Sequence, residues 1–143
     1  MKKEKIPDAL LEGIKAEGYH ARKSKGGKIL FWNEPNRKID ITFFNVEKTM
    51  FKVRLKIGPL LNKQELRLGL ACCLKRNAGL QVAYLVVNEG KEHPELCADI
   101  DYECHTEFEA RAFASMFTSY LSFAYETARE YMYINLKEES YLE

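Results

Sequence analysis

The sequence lacks the common motifs that identify an enzymatic reaction or a bound cofactor. Its 143 residues contain no CxxC pair, no GxxxxGK[ST] phosphate loop and no GxSxG nucleophile motif. No apolar run approaches the roughly 18 residues of a membrane span. Residues 1–8 contain five charged side chains and Pro7, so they lack the apolar core of a signal peptide. We therefore expect a cytoplasmic protein that does not contact membranes.

The chain also lacks an excess of either charge. Its 22 Lys and Arg residues balance 21 Asp and Glu residues, for a net charge of +1. Such a chain has no overall field to attract nucleic acid, so we expect no nucleic-acid partner. Apolar residues make up 46% and charged residues 30% of the chain, a composition typical of a folded protein. The length predicts a single domain over residues 1–143.

The four cysteines do not form a redox or disulfide pattern. Cys72 and Cys73 are adjacent in a helical segment, while Cys97 and Cys104 are separate. Adjacent cysteines rarely pair with each other, so free and buried thiols are expected.

Periodicity predicts three helices and six strands. A Gly26-Gly27 turn joins two strands, Asn62 with Glu65 caps the second helix, and residues 80–87 are apolar on both faces, which predicts an interior strand. The predicted helices cover residues 7–17, 63–77 and 106–136, and the strands cover 19–24, 29–33, 38–44, 51–57, 80–87 and 96–104. The order α-β-β-β-β-α-β-β-α predicts an α+β fold, with an antiparallel sheet of a meander plus a hairpin packed against helices.

The last helix is predicted to be long and unusually apolar. Thr106 with Glu109 forms its N-terminal capping pair. Its apolar side chains exceed those that one helix face needs, which predicts two packing partners. Leu66, Leu70, Cys73 and Leu74 recur at helical spacing and extend the second helix to about Asn77.

Acidic residues alternate along the strand at 96–104. Asp99, Asp101 and Glu103 share one face, as Mg²⁺ or Ca²⁺ ligands would require. The strand at 51–57 presents basic residues at the same period, so ion pairs between strands are the expected arrangement. A small metal-dependent enzyme that uses the three carboxylates is the alternative. The nearby Cys97 and Cys104 would lie about 23 Å apart on an extended strand, too far for one zinc ion.

Aromatic residues are the remaining candidates for function. Tyr and Phe are enriched at protein interfaces, although a wide core contact would use the same residues. The candidate interaction surface comprises Phe113, Phe117, Tyr120 and Phe123 of the last helix, together with Trp32 on a strand near the sheet edge.

The order of elements resembles the YbjN-like family, bacterial sensory-transduction regulators that share the fold of type III secretion chaperones. The resemblance covers nearly the whole chain. It rests on Gly18-Tyr19 after the first helix, on residues 39–43 (Ile-Asp-Ile-Thr-Phe) and 50–55 (Met-Phe-Lys-Val-Arg-Leu), and on residues 71–77 (Ala-Cys-Cys-Leu-Lys-Arg-Asn) leading into 80–84 (Leu-Gln-Val-Ala-Tyr).

The resemblance implies a small, noncatalytic, chaperone-like protein that binds polypeptides, often as a homodimer. It implies no cofactor and no metal. Such proteins hold a partner segment along apolar patches and sheet edges. A signalling or expression regulator that acts through a folded partner is the alternative within the same resemblance.

Overall fold

The computed structural model describes residues 5–35, 37–90 and 92–142, except for the side chains of residues 139–142. The helices are α1 (Lys5–Ala16), α2 (Lys63–Arg76), α3 (Glu107–Ala114) and α4 (Phe117–Leu142), with a 3-10 turn at Asn77–Gly79. The strands are β1 (Ala21–Lys23), β2 (Ile29–Glu34), β3 (Arg37–Phe43), β4 (Met50–Pro59), β5 (Tyr84–Asn88) and β6 (Glu95–Glu103). None of the helices described combines the length and the apolarity that a bilayer span requires.

The strands form one antiparallel sheet in the order β1-β2-β3-β4-β6-β5. Within the meander, Phe31 lies opposite Ile39, which lies opposite Leu55. All three side chains are fully buried. The alternation of apolar and polar residues therefore places the apolar ones on one face of the sheet, as predicted. The predicted α+β fold is confirmed.

The chain packs as two compact units, each described here by itself. The first comprises Met1–Leu55 and Ile100–Ser119, and the second comprises Lys56–Asp99 and Tyr120–Glu143. The single domain expected over residues 1–143 stays a prediction.

Aromatic rings form the centre of the first unit. The rings of Phe113 and Phe117 stack with centroids 4.9 Å apart, and Phe31 meets Phe117 edge-on at 5.7 Å. Phe51 meets Phe113 edge-on at 5.3 Å, and Tyr102 stacks on Phe113 at 4.5 Å. Offset-stacked and edge-to-face pairs are the favoured aromatic geometries. These contacts join strands β2, β4 and β6 to the helices α3 and α4.

The last helix of the sequence is two helices, which corrects the prediction of one. The N–H of Met116 donates to the carbonyl of Phe113 at 3.1 Å, so the helical i−4 bonds tighten to i−3 at this point. The hydroxyls of Ser115 and Ser119 donate to the carbonyls of Ala112 and Met116, respectively. Serine hydroxyls that compete for backbone carbonyls favour such a break.

Helix α1 approaches α3 closely because residue 13 is glycine. A Cβ atom at Gly13 would lie 2.7 Å from the Cβ of Ala114 and 3.4 Å from the Cα of Arg111. Glycine normally weakens a helix interior, and here the absence of a side chain permits the contact between the helices.

We expect Gly13→Ala to lower the free energy of unfolding by about 1–2 kcal/mol, although alanine favours helix formation, because the added methyl overpacks the contact with Ala114. Chemical denaturation measures the change. The double variant Gly13→Ala/Ala114→Gly removes the opposing methyl and should cost less than the sum of the two single changes. Additive costs would contradict the close packing.

In the second unit, α2 begins as predicted and β5 does not. The side chain of Asn62 accepts from the N–H of Glu65 at 2.8 Å, which confirms the cap. The strand expected at residues 80–87 in the sheet interior is Tyr84–Asn88, and it lies at the sheet edge. Val82 has a φ of 68°, a left-handed conformation that a strand cannot include. Strand β6 takes the interior position, with residues 96–100 all buried.

The side chain of Asn77 covers part of the edge strand. Its Nδ2 donates to the carbonyl of Leu85 at 2.9 Å, and its Oδ1 accepts from the N–H of Leu85 at 2.6 Å. The amide thus takes the place of a further strand at this residue, a known way of blocking pairing with another chain.

We expect Asn77→Ala to destabilise the protein by about 1–3 kcal/mol, because two backbone groups of Leu85 lose their partner. The variant should also aggregate sooner on heating, since the strand edge is uncovered. Thermal unfolding followed by light scattering measures both effects. Asn77→Asp keeps the acceptor for the N–H of Leu85, so its stability should lie between that of the native chain and that of Asn77→Ala. A variant as stable as the native chain would contradict this role.

Candidate functional site

The acidic side chains of β6 pair with basic side chains within each unit. In the first unit, the Nζ of Lys52 lies 3.5 Å from a carboxylate oxygen of Asp101. In the second unit, the Nζ of Lys56 lies 3.6 Å from a carboxylate oxygen of Glu95. The expected pairing of the two rows is therefore confirmed between Lys52 and Asp101, whereas Glu95 lies outside the predicted acidic row.

The three carboxylates named for a metal site do not share an environment. Asp101 and Glu103 are exposed, whereas Asp99 is fully buried, which corrects its expected place on a solvated face. Among the residues described, no three His, Cys, Asp or Glu side chains are grouped as ligands for a metal ion. The geometry therefore gives the metal-dependent enzyme no support.

The thiols are free and mostly buried, as predicted. Cys72, Cys97 and Cys104 are buried and Cys73 is half-buried. Burial, followed by the neighbouring Cys73, raises the pKa of Cys72 to about 11. Burial, followed by the charge of Glu109, raises the pKa of Cys104 to about 11. Both thiols are thus protonated at neutral pH and poor nucleophiles.

We expect stability to fall in alkaline solution. Because the pKa of Cys72 and Cys104 rises from 9.0 to about 11 on folding, the folded chain holds these protons more tightly than the unfolded chain. This contribution is complete below pH 9 and is lost as the pH rises through about 11. Denaturant titrations from pH 8 to 11 measure the slope. Cys72→Ala/Cys104→Ala should flatten that slope, and an unchanged slope would contradict the assignment.

The predicted aromatic surface divides into core and exposed residues. Phe113 and Phe117 are buried in the ring cluster of the first unit, which removes them from the candidate surface. Tyr120 is half-buried, while the side chain of Phe123 is 62% exposed. Trp32 is 41% exposed, with the Nζ of Lys38 6.0 Å from the centre of its ring.

Helix α2 carries a row of leucines that is largely exposed to solvent. Leu74 is 85% exposed, Leu70 is 49% exposed and Leu66 is half-buried. We call these three residues the α2 stripe. Helix α2 instead packs through Leu68, Gly69 and Cys72, which are buried. The leucines of the α2 stripe and the three buried residues both recur at helical spacing. The small side chains of Gly69 and Cys72 were the signal that could have identified the packing face.

Positive charge accompanies the α2 stripe. Lys63 and Arg67 are exposed and lie one turn apart at the N-terminal end of α2. At helical spacing they project on the same side as Leu70. The outward face of α2 is therefore apolar and cationic.

The first unit contains a shallow groove that the sequence did not reveal. Its volume is about 320 Å³, and it opens to solvent at the start of β4 and the end of β6. The residues that line it are Phe44, Met50, Phe51, Asp101, Tyr102 and Glu103. Phe44 and Met50 flank the turn between β3 and β4 and are exposed. We call this feature the aromatic groove.

Comparison with known proteins finds solved structures that are similar to this fold. No protein-family model matches the chain, and no curated protein sequence does. The chain is similar in structure to YbjN of E. coli, described as a proposed transcription regulator, with a TM-score of 0.67, 10% identity, and coverage of 87% of this chain and 91% of YbjN. A second solved structure, the type III secretion chaperone SycH of Yersinia pestis in complex with a stable fragment of YscM2, gives a TM-score of 0.49, 15% identity, and coverage of 83% and 96%.

The likeness to YbjN establishes the fold class. The chain has the YbjN-like α+β fold that its sequence predicted.

Proposed function

We propose that this chain is a noncatalytic, chaperone-like protein that binds other polypeptides through exposed apolar side chains. The α2 stripe is the observation that carries the proposal, because Leu70 and Leu74 face solvent at the spacing that helix recognition uses. Clustered exposed apolar side chains commonly mark interaction sites.

We assign the α2 stripe to a homodimer. Two copies of one helix face are self-complementary under a two-fold axis. An antiparallel arrangement places the leucines of one copy against those of the other, with Lys63 and Arg67 of each copy at the ends of the contact. Packing the leucines removes apolar surface from water, at about 25 cal/mol per Å².

Further apolar surface is available for a partner polypeptide. Phe123 and Ile134 are exposed on α4, and Tyr120 lies one turn before Phe123. Trp32 supplies a second exposed ring, on β2. We assign Trp32, Tyr120 and Phe123 to partner binding. A regulator that acts through a folded partner would use the same surfaces.

We place the protein in the cytoplasm, with no cofactor and no nucleic-acid or membrane partner. The free thiols support this location, because reducing compartments keep cysteines unpaired.

We expect Leu70→Ser/Leu74→Ser to convert a dimer into a monomer, because each copy loses the apolar contact at the centre of the interface. Sedimentation velocity over a range of protein concentrations measures the association. The matched control Phe108→Ser/Tyr133→Ser changes two side chains that are also exposed and lie outside the stripe. A native protein that remains monomeric throughout, or a control that dissociates equally, would contradict the assignment.

Affinity capture of the tagged chain from its own cells, with mass spectrometry, tests for a second partner. Recovery of a protein in fixed proportion, reduced by Phe123→Ser, supports partner binding. Recovery of the chain's own second copy alone would limit the role to self-association.

A further inference from the structure

The aromatic groove combines apolar walls with acidic side chains. Phe51 is buried in the ring cluster, so the inner wall is rigid, and Tyr102 stacks on Phe113 beside it. Phe44 and Met50 form the outer wall and are exposed to solvent. A volume of about 320 Å³ is at the lower end of the range for small-ligand sites and can receive one large side chain.

The groove contains acidic side chains although the whole chain is nearly neutral, since Asp101 and Glu103 are among the residues that line it. Residues 101–109 contain four acidic residues and no Lys or Arg. Burial raises the pKa of Tyr102, and the neighbouring Cys104 and Glu109 raise it further. Of the acidic residues in this segment, Glu109 therefore contributes to the environment of the Tyr102 ring.

Both carboxylates that line the groove are exposed to solvent. Lys52 pairs with Asp101 at 3.5 Å, and the side chain of Asp101 remains 56% exposed. The Nε2 of His105 lies 3.4 Å from Glu103, but this imidazole carries charge only when it is protonated. The side chain of Glu103 remains 50% exposed, so a cation from a partner can approach both carboxylates of the groove.

We propose that the aromatic groove holds a segment of another polypeptide in which lysine or arginine adjoins an apolar side chain. This inference rests on the proposed protein-binding function and specifies the chemistry of the bound segment. The apolar side chain packs against Phe44 and Met50, while the cationic head lies over Tyr102 and faces Asp101 and Glu103. Aromatic faces and carboxylates both attract a cation, and the stem of lysine or arginine packs on apolar surface.

The groove and the α2 stripe therefore select different partners. Lys63 and Arg67 make the face of α2 cationic, whereas the groove is acidic. Charge complementarity determines which partner is accepted more than it determines the total affinity. A segment suited to the groove is repelled from the face of α2, and the two surfaces can be tested separately.

A set of short fluorescein-labelled peptides tests the proposal by fluorescence anisotropy. The first peptide alternates leucine with arginine, the second has glutamate in place of each arginine, and the third has serine in place of each leucine. The first should bind, and the other two should bind at least about tenfold more weakly, because each lacks one of the two required features. Binding of the first should weaken as salt is added. Equal binding of the arginine and glutamate peptides would overturn the proposal.

Two variants locate the binding. Asp101→Asn/Glu103→Gln should weaken binding about fivefold and reduce its salt dependence, and Phe44→Ser should weaken it about fivefold without changing the salt dependence. The matched controls are Glu17→Gln/Glu89→Gln, which removes two exposed charges elsewhere, and Val46→Ser, in the same turn as Phe44 but outside the groove. Controls that weaken binding as much as the groove variants would overturn the proposal.

Methionine methyl resonances give a readout that is independent of affinity. The chain has four methionines, and Met50 lines the groove at 45% exposure, whereas Met116 lies outside it at 50% exposure. The leucine–arginine peptide should shift the methyl signal of Met50 and leave those of Met116 and Met132 unchanged.

The outcomes separate this inference from the proposed function. A peptide that binds without shifting Met50 would overturn the groove assignment and leave the protein-binding function in place. Absence of binding by any peptide would also overturn the groove assignment, while dimerisation through α2 is measured separately by sedimentation. Groove variants that dissociate the dimer would identify a second copy as the occupant and overturn the proposal as stated.

Discussion

The stacking of Phe113 on Phe117 is the contact on which the first unit depends. These rings come from two helices separated by a short break at Ser115 and Met116, and both rings are buried in the same core. Phe31 and Phe51 then meet this stack edge-on from the sheet. Aromatic side chains bury large areas, so one cluster of this kind holds strands and helices together.

The same cluster shapes the surface that we assign to a partner. Tyr102 is held on Phe113 and Phe51 is buried behind it, so the inner wall of the aromatic groove belongs to the core. The outer wall comes from Phe44 and Met50, at the two ends of a turn. A groove with one rigid wall requires little reorganisation on binding, which favours affinity.

The second unit leaves apolar side chains exposed because its helix has two apolar faces. The small side chains of Gly69 and Cys72 let one face of α2 pack closely. Leu70 and Leu74 lie on the other face and are exposed to solvent. The side chain of Asn77 blocks the edge of β5 at Leu85. The unit thus limits strand pairing at this residue while it presents a helix face, which is a more selective way to bind another chain.

Local patterns in the sequence determined the fold class, most element bounds and the helix caps. The alternation in β3 and β4 and the capping pairs at Asn62 and Thr106 depend on neighbouring residues alone, so they can be read from the chain. The tertiary structure decided which of two apolar faces is buried, because that choice depends on how closely distant segments approach. It also placed β5 at the edge of the sheet and Phe113 and Phe117 in the core, and it joined Phe44 to Tyr102 in one groove. These outcomes arise from contacts between residues far apart in the chain, which periodicity does not record.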